Sequence, residues 1–488
     1  MQAGRDISYR SFVAELIRTR VWLLLLARMI LFMGTFSMYP FLQTEKTNYF
    51  LHKHTDDEDL ECTGHHHNSG EDDDDTPEPC KQAHNDVLIW TTGKAVLHAF
   101  TVSLFLNPAV GTWSDMYGRK PFLILSFSGH LVVMAVLMLY QHTGLELYWY
   151  FVAHFLAVPF NGQSICLAYI ADVVQEKYRL MAFGIQALMF SVGAICGTAL
   201  KLTGLVGDFG TAVIIYGALV LLASLIVAVG LPESLSKDLQ MTTRQNVAEK
   251  RADSNCFEAL AFYWTSLIEA IKILFRTSLF RQLTFIIFIV MIIAEEEMDF
   301  RTQYLQEVID FGTREQAASM MIMGVSGFLS MTVGLWLIKS VLNLTDKQIL
   351  VLGTAMLTIG TALLATVQTT WMAYLSSGLV AFWPYQSTAV SSIKSVNVHP
   401  SEQGAVQGAL TAISAIGSGL GPFLFLGLYI PFRSGAVYFP GAPFYLATLL
   451  LFISTIVAIR LKVPPVKSNS EAILAKPEDK EPLLPSTA

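Results

Sequence analysis

The sequence predicts an all-α, multi-pass membrane protein in which twelve helices cross the bilayer in two bundles of six. Hydrophobic residues make up 53% of the 488 residues and charged residues only 15%, with a mean hydropathy of +0.48. Such a chain has too little polar surface to fold as a water-soluble globule. Apolar runs near the roughly 20 residues that a membrane-crossing helix needs recur along the chain, and a polar linker divides them into two sets.

The predicted spans are numbered in chain order. Their approximate bounds are 21–42, 86–110, 122–141, 147–171, 180–202, 210–231, 279–298, 316–341, 348–367, 371–393, 403–429 and 444–461. Because unpaired backbone groups are costly in lipid, each run is expected to be a helix. Around the spans we place an N-terminal segment 1–20, a first bundle 21–231, a linker 232–278, a second bundle 279–461 and a tail 462–488.

Basic residues gather on one side of this map. Arg5, Arg10, Arg18 and Arg20 precede span 1, and further lysines and arginines fall in the even-to-odd loops and in the linker. The positive-inside rule makes that side cytosolic, so both termini are expected in the cytosol. A basic start before an apolar run is also typical of a signal peptide, but this run is long, lacks a clear cleavage site and carries Arg28. Span 1 is therefore expected to remain uncleaved.

A compact charged turn joins spans 2 and 3. This segment, residues 111–121, is called the gate loop here; it holds Gly111, Asp115, Gly118, Arg119 and Lys120. Its spacing G-x-x-x-D-x-x-G-R-K resembles the signature loop between helices 2 and 3 of major facilitator superfamily transporters. In that family the carboxylate and the guanidinium hold one face of the protein shut. The resemblance implies a transporter gate at these residues.

The charges of the gate loop are expected to find partners nearby. Arg119 and Lys120 can reach acidic residues such as Asp172 or Glu176, and Asp115 can be held by a helix N-terminus or a cationic side chain. The two glycines are expected to allow close helix approach and a tight turn. The alternative is that these are ordinary charges of a cytosolic loop.

An internal register relates the two halves of the chain. Glycines of span 5 recur in span 11 after an offset of 224 residues, with Gly184, Gly193 and Gly197 corresponding to Gly408, Gly417 and Gly421. A duplication into two parallel repeats, with substrate between them, explains this register. Small residues so spaced let helices pack closely in lipid. The alternative is that glycine is simply common in membrane helices.

The first turns of span 11 carry a longer motif. It reads Glu402-Gln403-Gly404-Ala405-Val406-Gln407-Gly408, followed by Gly419-Leu420-Gly421-Pro422. Together with residues 169–172 and 440–443, it resembles the tetracycline-resistance and hippocampus-abundant-transcript branch of the superfamily. The resemblance implies a helix-packing motif at Gly193, Gly197, Gly404, Gln407, Gly408, Gly421 and Pro422. Folate-carrier-like solute transporters, which also have a long first outer loop with cysteines, remain alternative relatives.

Two positions depart from the family pattern. The antiporter motif of helix 5 normally ends in Gly-Pro, whereas Gly197 is followed by Thr198 and the proline occurs only in the second repeat, as Pro422. The arginine that the family carries in helix 4 falls at about His154, whose charge is lost near neutral pH. Antiport therefore does not follow from the sequence.

Ionisable residues inside the spans are costly, roughly 2.5 kcal/mol or more each, and need a reason to be there. Arg28, Lys94, His98, His130 and His154 are candidates for a cationic central cavity that suits an anionic organic solute, with a histidine taking up a coupled proton. Lys94 and His98 lie one helical turn apart on one face of span 2. The alternative is that Arg28 and Lys94 snorkel toward opposite interfaces.

Further candidates for the substrate or proton path lie in the second half. They are Glu295 and Glu296 in span 7 and Trp383, Tyr385 and Gln386 in span 10. The glutamates belong to a run of three at the predicted outer end of span 7, where desolvation and like charge favour a bound proton. The alternatives are a solvated helix end for the glutamates and ordinary core packing for span 10.

The predicted non-cytosolic loop 43–86 is strongly acidic, with thirteen Asp or Glu against three Lys. This composition predicts disorder. Its histidines, including His65–His67, His52, His54 and His84, offer weak metal ligands. Because no spacing resembles a closed tetrahedral site, no metal is expected.

Two short features concern the compartment in which the protein resides. Cys62 and Cys80 share the predicted outer loop and are expected to form a disulfide in an oxidising compartment. The tail carries Asp479, Leu483 and Leu484 in a pattern that resembles the acidic dileucine signals read by clathrin adaptors. Both the plasma membrane and an endosomal or lysosomal membrane therefore remain open.

Secondary active transport of a small organic solute by alternating access, coupled to protons, is the predicted function. The sequence has no P-loop, no dinucleotide-binding glycine pattern, no H-E-x-x-H motif and no nucleophile elbow. We therefore expect no enzyme activity, no cofactor and no nucleic-acid partner. The alternative is a non-transporting sensor or adaptor that keeps this fold.

Overall fold

The computed structural model describes residues 9–55, 57, 60, 62, 77–157, 162–251, 272, 274–294, 296–334, 336–397, 403–434 and 438–463. The regular structure in these ranges is helical throughout, as expected where backbone groups must be paired within each segment. A short helix, Tyr9–Arg18, precedes span 1. It rests on the first half, where Phe12 packs against Tyr178 with ring centroids 5.6 Å apart.

The first half contains spans 1 to 6. They comprise Val21–His54 (span 1), Glu78–Leu97, a π-helical stretch His98–Leu106 and Asn107–Tyr117 (span 2), Arg119–Thr143 (span 3), Tyr148–Ala157 and Gly162–Val173 (span 4), Glu176–Leu202 (span 5), and Phe209–Leu225 with π-helical Ile226–Gly230 (span 6). A further helix, Lys237–Arg251, lies in the linker.

The second half contains spans 7 to 12. They comprise Ser278–Ala294 and Glu296–Ile309 (span 7), Thr313–Leu329 with π-helical Ser330–Gly334 and Leu337–Val341 (span 8), Asp346–Ala365 (span 9), Thr370–Val380 and Trp383–Asn397 (span 10), Gln403–Ser434 (span 11), and Ala442–Arg460 (span 12). Of the described helices, nine are long and apolar enough to cross a membrane. Spans 4, 7 and 10 are each covered by two shorter helices.

Helices at one end of the molecule extend beyond the predicted spans. Span 1 continues to His54 and span 2 begins at Glu78, so the predicted loop 43–86 is too long on both sides. Span 7 continues to Ile309 instead of ending at 298, and span 11 to Ser434 instead of 429. These extensions are polar, so a hydropathy criterion misses them, and their side chains find partners within the protein.

The two ends of the molecule are named by what they carry. The disulfide end holds Cys62 and Cys80, which are joined by a disulfide with Cα atoms 5.4 Å apart. The gate end is the opposite end and holds the gate loop. Both cysteines are buried in an apolar cluster with Phe50 and Leu51. The disulfide therefore ties the chain that leaves span 1 to the start of span 2.

Span 5 packs on span 1 through two glycines. A Cβ on Gly193 would lie 2.9 Å from the carbonyl oxygen of Met29, and one on Gly197 would collide with the carbonyl oxygen of Met33. The two backbones are thus too close for any side chain. Thr198, at the proline position of the family pattern, donates to the carbonyl oxygen of Ala194 at 2.7 Å, and the helix continues to Leu202.

Span 11 packs on span 7 in the same way. A Cβ on Gly417 would lie 3.1 Å from the carbonyl oxygen of Phe288, and one on Gly421 would collide with that of Ile292. The two glycines are again four residues apart and meet backbone oxygens four residues apart. The 224-residue register therefore marks equivalent helix contacts in the two halves. Gly404, Gln407 and Gly408 lie in the helix Gln403–Ser434, and what surrounds their side chains is outside the part that the structure describes.

Candidate functional site

The gate loop turns sharply at Gly118, whose φ of +96° lies in the region that glycine adopts without strain. The carboxylate of Glu233 occupies the place that a Cβ of residue 118 would take. Glu233 accepts hydrogen bonds from the backbone N–H groups of Arg119, at 2.8 Å, and Lys120, at 3.1 Å. Because these are the first N–H groups of span 3, the carboxylate stabilises the positive end of that helix.

Arg119 connects the ends of spans 2 and 4. Its guanidinium lies 2.5 Å from Asp115, donates through Nε to Asp172 at 3.1 Å and through Nη1 to Ser114 Oγ at 2.6 Å. Ser114, Asp115, Arg119, Asp172 and Glu233 are called the gate-loop cluster here. Asp172 thus lies at the position where the sequence predicts a partner for Arg119. The members belong to the first half and to the residues just after span 6, so the cluster joins four helix ends of one bundle.

Some members of this cluster differ from the prediction. Glu233 and Ser114 are missed by sequence reasoning; the available signal for Glu233 is an acidic residue after proline at the end of span 6. The close helix approach expected at Gly111 is wrong for this conformation, because a Cβ there would meet no heavy atom within 4 Å. Lys120 contributes its backbone N–H, while the side chain of Glu176 lies outside the described part of the chain.

At the disulfide end, Gln303 of span 7 connects the two halves. Its Oε1 accepts from Thr47 Oγ1 of span 1 at 3.3 Å and lies 2.7 Å from His84 Nδ1 of span 2. His84 and Gln303 are fully buried. The assignment of His84 to an outer loop as a weak metal ligand is therefore wrong. His52 and His54 also belong to a helix, and His54 contacts Asp86 at 2.8 Å.

Arg433 of span 11 makes a second connection between the halves. Its Nη1 donates to the carbonyl oxygen of Lys81 at 2.9 Å and to Asn85 Oδ1 at 2.7 Å. Its Nε pairs with Glu307 Oε1 of span 7 at 2.5 Å, and Tyr429 donates to the other oxygen of that carboxylate. The two charged side chains are only 2% and 1% exposed. Removing one partner of such a pair leaves a buried charge, which costs about 3–5 kcal/mol.

These residues form one layer between the bundles. Thr47, His84, Asn85, Gln303, Glu307, Tyr429 and Arg433 are called the bridging cluster here. Four of its hydrogen bonds cross from one half to the other. The sequence does not predict it, because Glu307 and Arg433 fall beyond the predicted ends of spans 7 and 11. The available signal is an acidic residue past the predicted end of one span and a basic residue past the predicted end of the other.

The ionisable residues predicted for a central cavity lie inside the first half. Arg28 is buried. Each of them has different neighbours. The guanidinium of Arg28 stacks on the ring of Phe32 at 4.6 Å, and His130 Nδ1 lies 3.0 Å from Tyr216 Oη. His98 Nδ1 lies 3.5 Å from Ser103 Oγ, and the ring centroids of His154 and Tyr150 are 5.8 Å apart. Lys94, one turn before His98, is half-buried. A cationic cavity formed by these residues stays a prediction.

The candidates in span 10 have different surroundings. Tyr385 is fully buried and donates to the carbonyl oxygen of Ser330 at 2.7 Å, within the core of the second half. Trp383 is exposed. Gln386 is buried, and among the described residues neither of its amide atoms has a hydrogen-bond partner. Tyr385 therefore packs in the core of the second half, while the amide group of Gln386 is buried there with its hydrogen-bonding atoms unused.

The glutamate run of span 7 lies in a different place from that predicted. Glu295 is outside the described residues, and so is the side chain of Glu296. Because the helix Glu296–Ile309 continues for another three turns or more, the run lies within span 7 and not at its outer end. Near that end the structure places Glu307, and Asp310 directly follows the helix.

Residues 91–422 match the sequence model of the Major Facilitator Superfamily. The hippocampus abundant transcript-like protein 1 of Bos taurus is 24% identical over 379 residues, which are 73% of this chain and 71% of that protein. The class H tetracycline resistance protein of Pasteurella multocida is 24% identical over 362 residues, which are 72% of this chain and 83% of that protein. Both belong to the branch that the span 11 motif resembles.

Solved structures give the same result for the fold. The human organic anion transporter MFSD10 (TETRAN) superposes with a TM-score of 0.59 at 16% identity, covering 90% of this chain and 99% of that one. The D-xylose-proton symporter superposes with a TM-score of 0.60 at 13% identity, covering 92% and 99%. At such low identity the likeness concerns the fold alone.

Proposed function

The chain belongs to the major facilitator superfamily, and we propose that it is a secondary active transporter that moves a small organic solute by alternating access. The observation that carries the proposal is the bridging cluster. Within the described ranges, hydrogen bonds between the two halves occur at the disulfide end, whereas the gate-loop cluster at the other end is satisfied inside the first half. A solute held between the bundles leaves toward the disulfide end only when the bridging contacts separate.

The gate-loop cluster is the proposed partner of that movement at the gate end. The contacts of Asp115, Arg119, Lys120 and Asp172, with the turn at Gly118, hold the ends of spans 2, 3 and 4 as one unit, so the first bundle can move as a rigid body. The resemblance of this loop to the family's signature supports a gating role. The structure adds Glu233, which links the unit to the end of span 6.

An anionic organic solute and a coupled proton are the proposed cargo. Arg28, Lys94 and His98 supply cationic groups within the first bundle, and a buried charge needs a functional reason in a membrane. The relatives are consistent with this class, since one solved neighbour is described as an organic anion transporter and another as a proton symporter. Both termini are proposed to face the cytosol, in the plasma membrane or an endosomal or lysosomal membrane, where the tail can meet a clathrin adaptor.

A second candidate function is a sensor or adaptor that keeps the fold without transport. Thr198 favours it, because the family's antiporter motif has proline at this position and here the helix continues unbroken. A sensor needs to bind its ligand but does not need to move it across the membrane.

Reconstitution into proteoliposomes separates the two functions. A thermal-stability screen of the purified protein against anionic, neutral and cationic metabolites first identifies a ligand, since a ligand that binds only the folded state raises its apparent stability. We expect stabilisation by an organic anion, and uptake of that anion under a proton gradient that Asp115→Ala abolishes without loss of folded protein. Binding without flux under any gradient would favour the sensor, and stabilisation by cations alone would contradict the cationic cavity.

A further inference from the structure

His84 lies in the contact between the two halves with one ring nitrogen bonded and the other unused. Its Nδ1 is 2.7 Å from Gln303 Oε1, which also accepts from Thr47. An amide oxygen can only accept, so Nδ1 carries the hydrogen and Nε2 of the neutral ring carries the lone pair. Nε2 is buried, and no described residue forms a hydrogen bond with it. Nε2 of the neutral ring is therefore a basic nitrogen that carries no proton and accepts no hydrogen bond from a described residue.

The charges around His84 make it unfavourable to protonate the ring in this conformation. The charged or titratable groups on the elements packed around it include Lys46 and His54 on span 1, Lys81 and Asp86 at the start of span 2, Arg301 and Glu307 on span 7, and Tyr429 and Arg433 on span 11. Glu307 is the carboxylate of the contact, and it already accepts from Arg433 and Tyr429. A cationic His84 would therefore add a second buried positive charge next to Arg433.

Arg433 transmits such a charge to the contact between the halves. Its guanidinium binds Asn85, the neighbour of His84 in the chain, and the carbonyl oxygen of Lys81 one turn earlier. The hydrogen bonds that cross the bundles thus lie on both sides of the imidazole. A positive ring repels the guanidinium and has no acceptor for its new N–H, so the closed contact loses stability.

We infer that His84 Nε2 is a proton-binding site that controls closure of the disulfide end. When that end is open to solvent, a hydronium ion gives its proton to the Nε2 lone pair, leaving water and an imidazolium with N–H groups on both nitrogens. The end closes only around the neutral ring, after the proton has returned to solvent. Since the open conformation binds the proton more tightly, acid shifts the population toward it.

This inference rests on the proposed function in one respect, namely that the disulfide end opens. It gives the proposed proton coupling a specific acceptor on span 2. It is distinct from the histidines of the predicted cavity, which lie deeper in the first half.

The test measures how the separation of the bundles at the disulfide end depends on pH. Spin labels are placed on Thr143→Cys, at the end of span 3, and Thr366→Cys, at the end of span 9, both exposed. The full chain carries Cys166→Ala, Cys196→Ser and Cys256→Ser, retains its disulfide and is held in lipid nanodiscs. The distance between the two spin labels is measured by pulsed electron–electron double resonance from about pH 8 to about pH 5, a range that includes the ordinary histidine pKa.

Three variants isolate the imidazole. His84→Asn places an amide N–H where Nδ1 stands and cannot be protonated, so it keeps the bond to Gln303. His84→Lys supplies a cation whose ordinary pKa lies well above the pH range of the measurement. His54→Asn is the matched control, because it removes a histidine at the same end that contacts Asp86 and lies outside the bridging cluster. Thermal stability and elution as a single species establish that each variant is folded.

The expected result is a wild-type label separation that lengthens as the pH falls, and a His54→Asn control that follows it. His84→Asn is expected to keep the short separation throughout, and His84→Lys to show the long separation even at alkaline pH. A His84→Asn variant that lengthens like the wild type would overturn the inference while leaving alternating access intact. A wild type that holds one separation at the disulfide end under all conditions would overturn both.

Discussion

Single residues at the two ends of the molecule hold the helices in fixed relative positions. Arg119 at the gate end and Arg433 at the disulfide end each bind a carboxylate and further acceptors from other helices. They differ in what they connect, because the partners of Arg119 lie in one half and those of Arg433 in both. Arg119 therefore stabilises the first bundle, and Arg433 stabilises the conformation in which the disulfide end is closed.

The turn at Gly118 provides a residue-scale prediction. Gly118→Ala should lower stability by about 1–3 kcal/mol, the cost of placing an L-residue in a backbone region that is essentially restricted to glycine, and it also displaces the Glu233 carboxylate. Gly111→Ala is the matched control, since a Cβ there meets no heavy atom within 4 Å. Thermal unfolding of the purified proteins measures both. Equal melting temperatures for the two variants would contradict the described turn.

Arg119 provides a second prediction at the residue scale. Arg119→Lys keeps the positive charge but loses the planar fork that reaches Asp115, Asp172 and Ser114 together. Losing even one hydrogen bond to a charged group costs about 1.5–3 kcal/mol, so proton-driven uptake should fall roughly tenfold or more. The exposed Lys237→Gln in the linker helix should retain uptake. Wild-type flux in Arg119→Lys would show that charge alone is sufficient at this position.

Residue identity was readable from the sequence only where a motif was local. The pair Asp115 and Arg119 lies within one loop, so its spacing was visible. By contrast, His84 and Gln303 are 219 residues apart in the chain, and Arg433 and Asn85 are 348 apart. Contacts of this kind depend on how two bundles face each other, which a single sequence does not reveal.

At the scale of helices, glycines set how closely the spans approach one another. Gly197→Ala and Gly421→Ala should each destabilise the protein by about 1–3 kcal/mol, the usual cost of forcing an extra methyl group into a packed contact. Each methyl would meet a backbone oxygen, which cannot move aside as a side chain can. Gly184→Ala, in span 5 with open space around it, should be neutral or slightly stabilising. Thermal unfolding of the three variants measures the difference, and similar melting temperatures for all three would refute the packing role of Gly197 and Gly421.

The start of span 6 provides a pH-dependent prediction. Asp208 accepts from the backbone N–H of Thr211 at 2.9 Å and from its hydroxyl at 2.7 Å, and these bonds hold the pKa of Asp208 below its ordinary value. Its stabilising effect is therefore fully present above that ordinary value and is lost as the pH falls through the lower folded-state pKa. Asp208→Ala should melt below the wild type at neutral pH, and the difference should shrink in acid. A difference that is constant with pH would contradict the cap.

Helix existence was predictable from hydropathy, while helix ends at the disulfide end were not. Spans 3, 5, 9 and 12 contain runs that are apolar almost throughout, so their positions follow from composition. Spans 1, 7 and 11 continue for roughly one to three turns into polar sequence, where Lys46 and Arg433 are buried among protein groups. A hydropathy window treats those residues as solvated because it cannot include partners from other helices.

At the scale of the whole molecule, two similar halves meet through the polar bridging cluster and through apolar packing. The apolar part includes the cluster of Phe36, Ala194 and Met320, which brings span 8 against spans 1 and 5. The groups of the bridging cluster can also bond to water, so this polar part of the contact can separate at a small net cost. The disulfide remains within the first half and does not restrict this movement. Alternating access is thus compatible with the covalent and packing constraints of the structure.

Distances at both ends of one protein test this account most directly. Labels on Thr143→Cys and Thr366→Cys report on the disulfide end, and labels on Ile17→Cys and Leu342→Cys, which are exposed, report on the gate end. We predict two populations at each end, with the short separation at the disulfide end accompanied by the long one at the gate end. A single separation at both ends, unchanged by pH and by any ligand that stabilises the protein, would contradict transport by this mechanism.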